Sequence, residues 1–145
     1  MSKIEFFYED TQPFKLKKAR LKRHIKQLII NELKKAGDIS VIFCSDKYLL
    51  DINTEYLNHN YYTDIITFNY VDGNTISGDL FISIDRVKEN SVEFKTGWKN
   101  ELYRVIFHGL LHLVGYNDKT PEEIITIREK EEMYLSEVDF SEIEI

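Results

Sequence analysis

Two histidines, His108 and His112, sit in an otherwise apolar run (Val105, Ile106, Phe107, Leu110, Leu111, Leu113, Val114), with Gly115 and Asp118 following. No other stretch restricts the chain as much. A helix turns once in about 3.6 residues, so side chains four apart stack on one face. The two imidazoles can therefore reach one tetrahedral metal ion, at about 2.0–2.1 Å each for zinc. Gly115 offers the left-handed residue on which a helix ends, and the turn after it brings Asp118 in as a third, oxygen donor. Three protein ligands leave one position open, which marks a catalytic rather than a structural site. Helical His pairs also occur as surface groups or as core histidines bonded to a carbonyl. Two buried imidazoles with few polar neighbours each need a partner, however, and a metal supplies one to both.

The spacing His-x-x-x-His-x-x-Gly-x-x-Asp overlays the metzincin zinc pattern, in which a general-base Glu follows the first His. Here that residue is Gly109, which cannot take a proton, so the pattern reads as metal-binding but not protease-like. His108-Gly109-x-Leu111-His112-Leu113-x-Gly115-Tyr116 resembles the signature of the YbeY family of bacterial rRNA-maturation endoribonucleases. Thr63-Asp64-Ile65-Ile66-Thr67-Phe68 is similar to that family's Thr-Asp-Val-Leu-Ser-Phe segment, and Gly78-Asp79-Leu80-Phe81-Ile82-Ser83 to its Gly-Asp-Ile-x-Ile-Ser strand. The matches run in the family's order from about Ile52 to Leu135.

The resemblance implies an α+β domain, a mixed four-stranded sheet with helices packed on it, and a metal site at the C-terminal end of a buried helix. It also implies zinc-dependent cleavage of single-stranded RNA, with ribosomal RNA or a pre-ribosomal particle as partner, in maturation and quality control. Two positions depart from the family. Its third ligand is usually a His, whereas Asp118 lowers the charge of the site and tilts selectivity toward harder metals. The family also carries an Arg, a natural partner for a scissile phosphate, where this chain has Leu57. Arg104, one turn before His108 on the same face, is the candidate replacement as a phosphate clamp. The alternative for Arg104 is an ion pair with Glu101, three residues earlier.

Net charge is −6 over 145 residues, which alone disfavours a nucleic-acid partner, but the charges are segregated. Nine basic residues face one acid, Glu32, between Phe14 and Lys35, whereas nine acids face Arg128 and Lys130 from Glu122 onward. The basic segment 14–35 is thus a candidate RNA surface, with a solvated helix face as its alternative. The single cysteine, Cys44, excludes an internal disulfide and reads as a buried, inert thiol. No apolar run approaches the ~20 residues that span a bilayer, and the N-terminus lacks a signal peptide's layout. The expectation is one domain over 1–145, in the cytoplasm, with no membrane partner.

Periodicity and turn chemistry predict strands at Ile4–Phe7 and Ile39–Cys44, and a long helix from Phe14 to Ala36 with Leu33 on its apolar stripe and Gly37 as its stop. A helix from Asp46 to Leu57 capped by Ser45 follows. A hairpin is predicted from Asp64–Val71 and Thr75–Ile84 around Asp72-Gly73-Asn74, expected to line the sheet next to the metal helix. Helices are also predicted over Asp85–Phe94 and Trp98–Val114, and one from a Thr120-Pro121-Glu122-Glu123 capping box. The acidic tail Ser136–Ile145 is expected to fray. His24 and His59 read as exposed, and Glu122-Glu123 and Glu131-Glu132 as helix-surface charges. Thr63-Asp64 reads as a turn cap or, alternatively, as a support for a metal-bound His. Tyr61 and Tyr62 could stack bases but more often such residues are core. Three functions follow in order: metal-dependent endoribonuclease, ribosome-associated assembly factor with a structural metal, and metallopeptidase.

Overall fold

The computed structural model describes residues 2–140. Its sheet comprises β1 (Ile4–Glu9), β2 (Lys35–Cys44), β4 (Thr75–Ser83) and β3 (Ile65–Asn69), in that spatial order. β1 and β2 run parallel, as do β2 and β4, while β3 pairs antiparallel with β4 at the edge. Parallel neighbours require long crossovers. Helix α1 (Lys18–Asn31) makes the first, and α2 (Asp46–Leu57) with β3 makes the second. The β3–β4 hairpin closes where it was predicted, with Gly73 at φ +59° and Asp72 bridging Thr75. Helices α3 (Ile84–Glu93), α4 (Trp98–Val114) and α5 (Pro121–Leu135) complete the chain, giving the mixed sheet and packed helices expected of an α+β domain.

Strand alternation divides the apolar side chains between the two faces of the sheet. Ile76, Leu80 and Ile82 of β4 belong to the main core, together with residues of α1, α4 and α5. Phe81 points the other way and packs against a small second cluster of Cys44, Leu49 and Ile66. Helix α4 lies directly on the main face. It has no side-chain N-cap; burial holds it, with Leu102, Ile106, Leu110 and Leu111 fully enclosed at about 1.5–3 kcal/mol each. Two glycines permit the close approach. A Cβ on Gly109 would lie 2.7 Å from Ile65 Cδ1 and 3.0 Å from Leu80 Cδ2, and one on Gly78 would lie 3.1 Å from both Leu113 methyls and 2.6 Å from the Phe68 carbonyl. Gly109 therefore faces the sheet, and the position that carries a metzincin's base has no room for a carboxylate.

The long helix departs from its predicted bounds at both ends. Phe14 lies outside α1, because its ring packs against Tyr8, Phe43 and Trp98 and Lys99 bonds the Lys15 carbonyl. At the other end Leu33 turns left-handed (φ +62°) and is 87% exposed rather than on the apolar stripe. The Lys34 N–H closes on Ile29 O, and β2 begins at once. Gly37 is thus not a helix stop. It lies in β2 at a register irregularity, where a Cβ would come 2.1 Å from Ser77 Oγ. The capping residues Ser45 and Thr120 are placed as predicted, the latter in a full capping box with Glu123. The tail does not fray through Phe140: Val138 is buried, and Phe140 packs edge-on to Tyr103. Residues 141–145 lie outside the described residues.

Candidate metal centre

Helix α4 carries His108 and His112 one turn apart, and Gly115 ends it at φ +117°. The turn delivers Asp118 as its spacing predicted. His108 Nε2 and His112 Nε2 lie 2.9 Å apart, and Asp118 Oδ2 lies 3.4 Å and 3.2 Å from them. In a tetrahedral site with ligand bonds of about 2.0–2.1 Å, neighbouring donors lie about 3.3 Å apart. The donor triangle fits that geometry, and these three residues could hold a metal ion.

Protonation strengthens the fit. His112 Nδ1 lies 2.9 Å from the Tyr116 carbonyl, which can only accept, so that nitrogen must carry the proton. His108 Nδ1 lies 2.7 Å from Glu131 Oε2 and donates to it. Each neutral ring is then left with a bare lone pair at Nε2, and the two lone pairs face each other. Only a cation between them, a metal or a proton, turns that repulsion into attraction. Burial disfavours the imidazolium of His108, but the Glu131 hydrogen bond and charge, with Asp118 and Asp64, outweigh it and raise the His108 pKa. The centre thus attracts positive charge.

Glu131 is not the helix-surface charge that its sequence context predicts. It is buried, at 4% exposure, whereas its neighbour Glu132 is exposed. The sequence did hold a signal: Ile127, Glu131 and Tyr134 share the inward face of α5, so an acid stands where an apolar residue is the norm. A carboxylate on the outer nitrogen of a metal-binding His fixes its tautomer and raises its basicity. Behind Tyr116 stands Glu32, the one acid of the basic segment. It accepts from the Tyr116 hydroxyl at 2.7 Å and from the Tyr134 hydroxyl, and pairs with Lys130 at 3.3 Å.

The centre opens onto a cavity of about 360 Å³ between α3, α4 and α5. Arg104 lies in its wall, one turn before His108, with its guanidinium against Glu131 (3.2 Å), Glu132 and Glu101 (3.6 Å). Asp64 also lines it, and burial raises the pKa of its carboxyl, with the charge of His108 opposing that rise. Leu57 is 41% exposed at the end of α2 and is not among the cavity's lining residues. Tyr61 and Tyr62 are exposed rather than core, Tyr61 stacked on His59 and Tyr62 under Arg86. His24 is half-buried against Tyr103 instead of free in solvent.

Comparison with known proteins bears on this arrangement. The family model described as endoribonuclease YbeY matches residues 6–139. The endoribonuclease YbeY of Parabacteroides distasonis is 50% identical over 133 residues, spanning 92% of this chain and 94% of its own. That of Azobacteroides pseudotrichonymphae is 53% identical over 116 residues, 80% of this chain and 84% of its own. The fold is similar to the solution structure of TM1509 from Thermotoga maritima, with a TM-score of 0.64 at 24% identity, covering 94% of this chain and 90% of that one. A match from residue 6 to residue 139, with relatives half identical over most of their length, shows that the chain belongs to the endoribonuclease YbeY family.

Proposed function

We propose that this endoribonuclease cleaves single-stranded regions of ribosomal RNA, in the cytoplasm, during maturation and quality control of ribosomes, with zinc held by His108, His112 and Asp118. Family membership supports the endoribonuclease activity. The observation that carries metal dependence is the pair of Nε2 lone pairs facing each other 2.9 Å apart, with Asp118 closing the triangle. When bound, the metal supplies Lewis acidity toward a phosphoryl oxygen and acidifies water. The chain's residues do the rest. Glu131 and the Tyr116 carbonyl hold the outer protons of the two histidines, so that both inner nitrogens stay available. Ile124, Ile127 and Val105 make one side of the cavity apolar, which strengthens charge interactions within it. Exposed Lys15, Lys17, Lys18, Arg23 and Lys26 of the basic segment 14–35 give a face that attracts a phosphate backbone.

The test is cleavage of a ribosomal RNA fragment containing single-stranded loops, by zinc-loaded protein, chelated protein and His112→Ala. The expected result is cleavage in the loaded protein and loss in the other two, with circular dichroism unchanged on chelation. Full cleavage after chelation would refute metal dependence. Binding of pre-ribosomal particles without cleavage by any preparation would favour an assembly factor instead.

A further inference from the structure

The cavity beside the metal centre is an unfavourable place for RNA as its acids stand. Asp64, Glu101, Asp118 and Glu131 line it, against two guanidiniums, Arg104 and Arg128. A phosphodiester brought to His108 and His112 enters among four carboxylates, so it needs cationic help besides any metal. Leu57 brings none. Arg104 is committed: its guanidinium is shared among Glu131, Glu132 and Glu101 and is only 25% exposed. Releasing it would leave Glu131, among the described residues, with His108 alone as its partner.

Arg128 differs on each count. It is exposed and, among the described residues, makes no hydrogen bond or ion pair. On α5 it follows Ile124 by four residues and precedes Glu131 by three, so it shares the face that covers the cavity. Its positive charge is felt across the cavity at Glu101, where with Arg104 it opposes the effect of burial on that carboxyl. A guanidinium presents a planar fork of donors that matches a phosphate's oxygens, and an unpaired one need not abandon a carboxylate first. We propose that Arg128 is the phosphate-binding side chain of the cavity, gripping a phosphodiester of the single-stranded RNA next to the metal centre. The inference rests on the nuclease reading above and assigns the substrate contact that Leu57 does not provide.

The experiment compares wild type, Arg128→Ala and Arg128→Lys on a short single-stranded oligoribonucleotide, measuring cleavage, metal content, and binding by fluorescence anisotropy in chelator at several salt concentrations. Arg128→Ala is expected to raise KM, and Kd in chelator, by about ten- to a hundredfold at unchanged metal content. The slope of log affinity against log salt should flatten by about 0.7, the loss of one phosphate contact to a single strand. Arg128→Lys should recover part of the affinity, because it keeps the charge and loses the fork. Wild-type affinity and salt slope in Arg128→Ala would overturn the assignment, and so would loss of metal from that variant, which would make Arg128 a support of the centre. If wild type cleaves nothing, the nuclease reading fails. The anisotropy comparison then still decides whether Arg128 binds phosphate.

Discussion

His108 and His112 offer the same donor atom to the candidate centre and are braced in opposite ways. The outer nitrogen of His112 meets a main-chain carbonyl four residues further on, which cannot ionise and is set by the turn at Gly115. The outer nitrogen of His108 meets a buried carboxylate 23 residues away on another helix. The first brace forms with the end of α4. The second exists only when α5 is docked, with Ile127 and Tyr134 buried on either side of Glu131. One histidine is thus oriented by local structure and the other by tertiary packing. The centre is complete only when α5 is seated, and the docked helix brings a charge that the carbonyl cannot.

The sharpest way to break this contrast is Glu131→Gln, which keeps an acceptor beside His108 and removes its charge. Metal affinity should fall about ten- to a hundredfold, as for other outer-shell partners. The His108 pKa, held up against burial by Glu131, should fall as well. Competition with a chromogenic chelator reads the first effect and NMR titration of the metal-free protein the second. An affinity equal to wild type would mean that the charge of the tertiary brace adds nothing to a carbonyl's.

The His112 side is expected to yield less. Glu32→Gln keeps the Tyr116 carbonyl in place, since the end of α4 sets it, and weakens only the network behind it. Stability at neutral pH should drop by about 1–2 kcal/mol, with metal affinity changing less than in Glu131→Gln. Burial raises the Glu32 pKa, but hydrogen bonds from Tyr116, Tyr134 and Lys130 outweigh it and leave it lowered. A depressed carboxylate contributes stability above its unfolded pKa, an ordinary 4.5, and loses it as pH falls through the folded value. The gap in Tm between wild type and variant should therefore close on acidification below about 4.5. A gap of constant size across that range would assign the loss to packing alone.

The same division explains what the sequence made legible. The His112 side lies within eleven residues, His108 to Asp118, so spacing alone placed the donors, the helix end and the turn. The hairpin and the two capping residues are local in the same sense. What was missed depends on contacts distant in sequence. Glu131 looks like half of an acidic pair until α5 is docked on its Ile127 face. Glu32 looks like a stray acid in a basic helix until Tyr116, Tyr134 and Lys130 converge on it. Phe14 carries helical periodicity, but three aromatic partners pull it out of α1. Leu33 and Gly37 were misread together, because β2 starts four residues before the apolar run that announces it.

The smallest effect should come from Glu101, two turns before His108 on the same helix, where burial acts with little compensation. Burial pushes its carboxyl up to about 7, with Asp64 and Glu131 adding to the rise and Arg104 and Arg128 opposing it. The Oε1 atom makes no hydrogen bond among the described residues, and Arg104 Nε stands off at 3.6 Å. Glu131 near by escapes such isolation because His108 and Arg104 both donate to it. A raised carboxyl favours folding while protonated, so its contribution is full below an ordinary 4.5 and is lost as pH rises through about 7. Glu101→Gln removes that loss. Thermal melts of wild type and variant should therefore diverge in the variant's favour as pH is raised from 5 to about 8, while chelator competition at fixed pH shows little change in metal affinity. Melts that stay parallel would mean that Arg104 compensates the charge at Glu101 fully, and a large fall in metal affinity would extend the tertiary brace two turns back along α4.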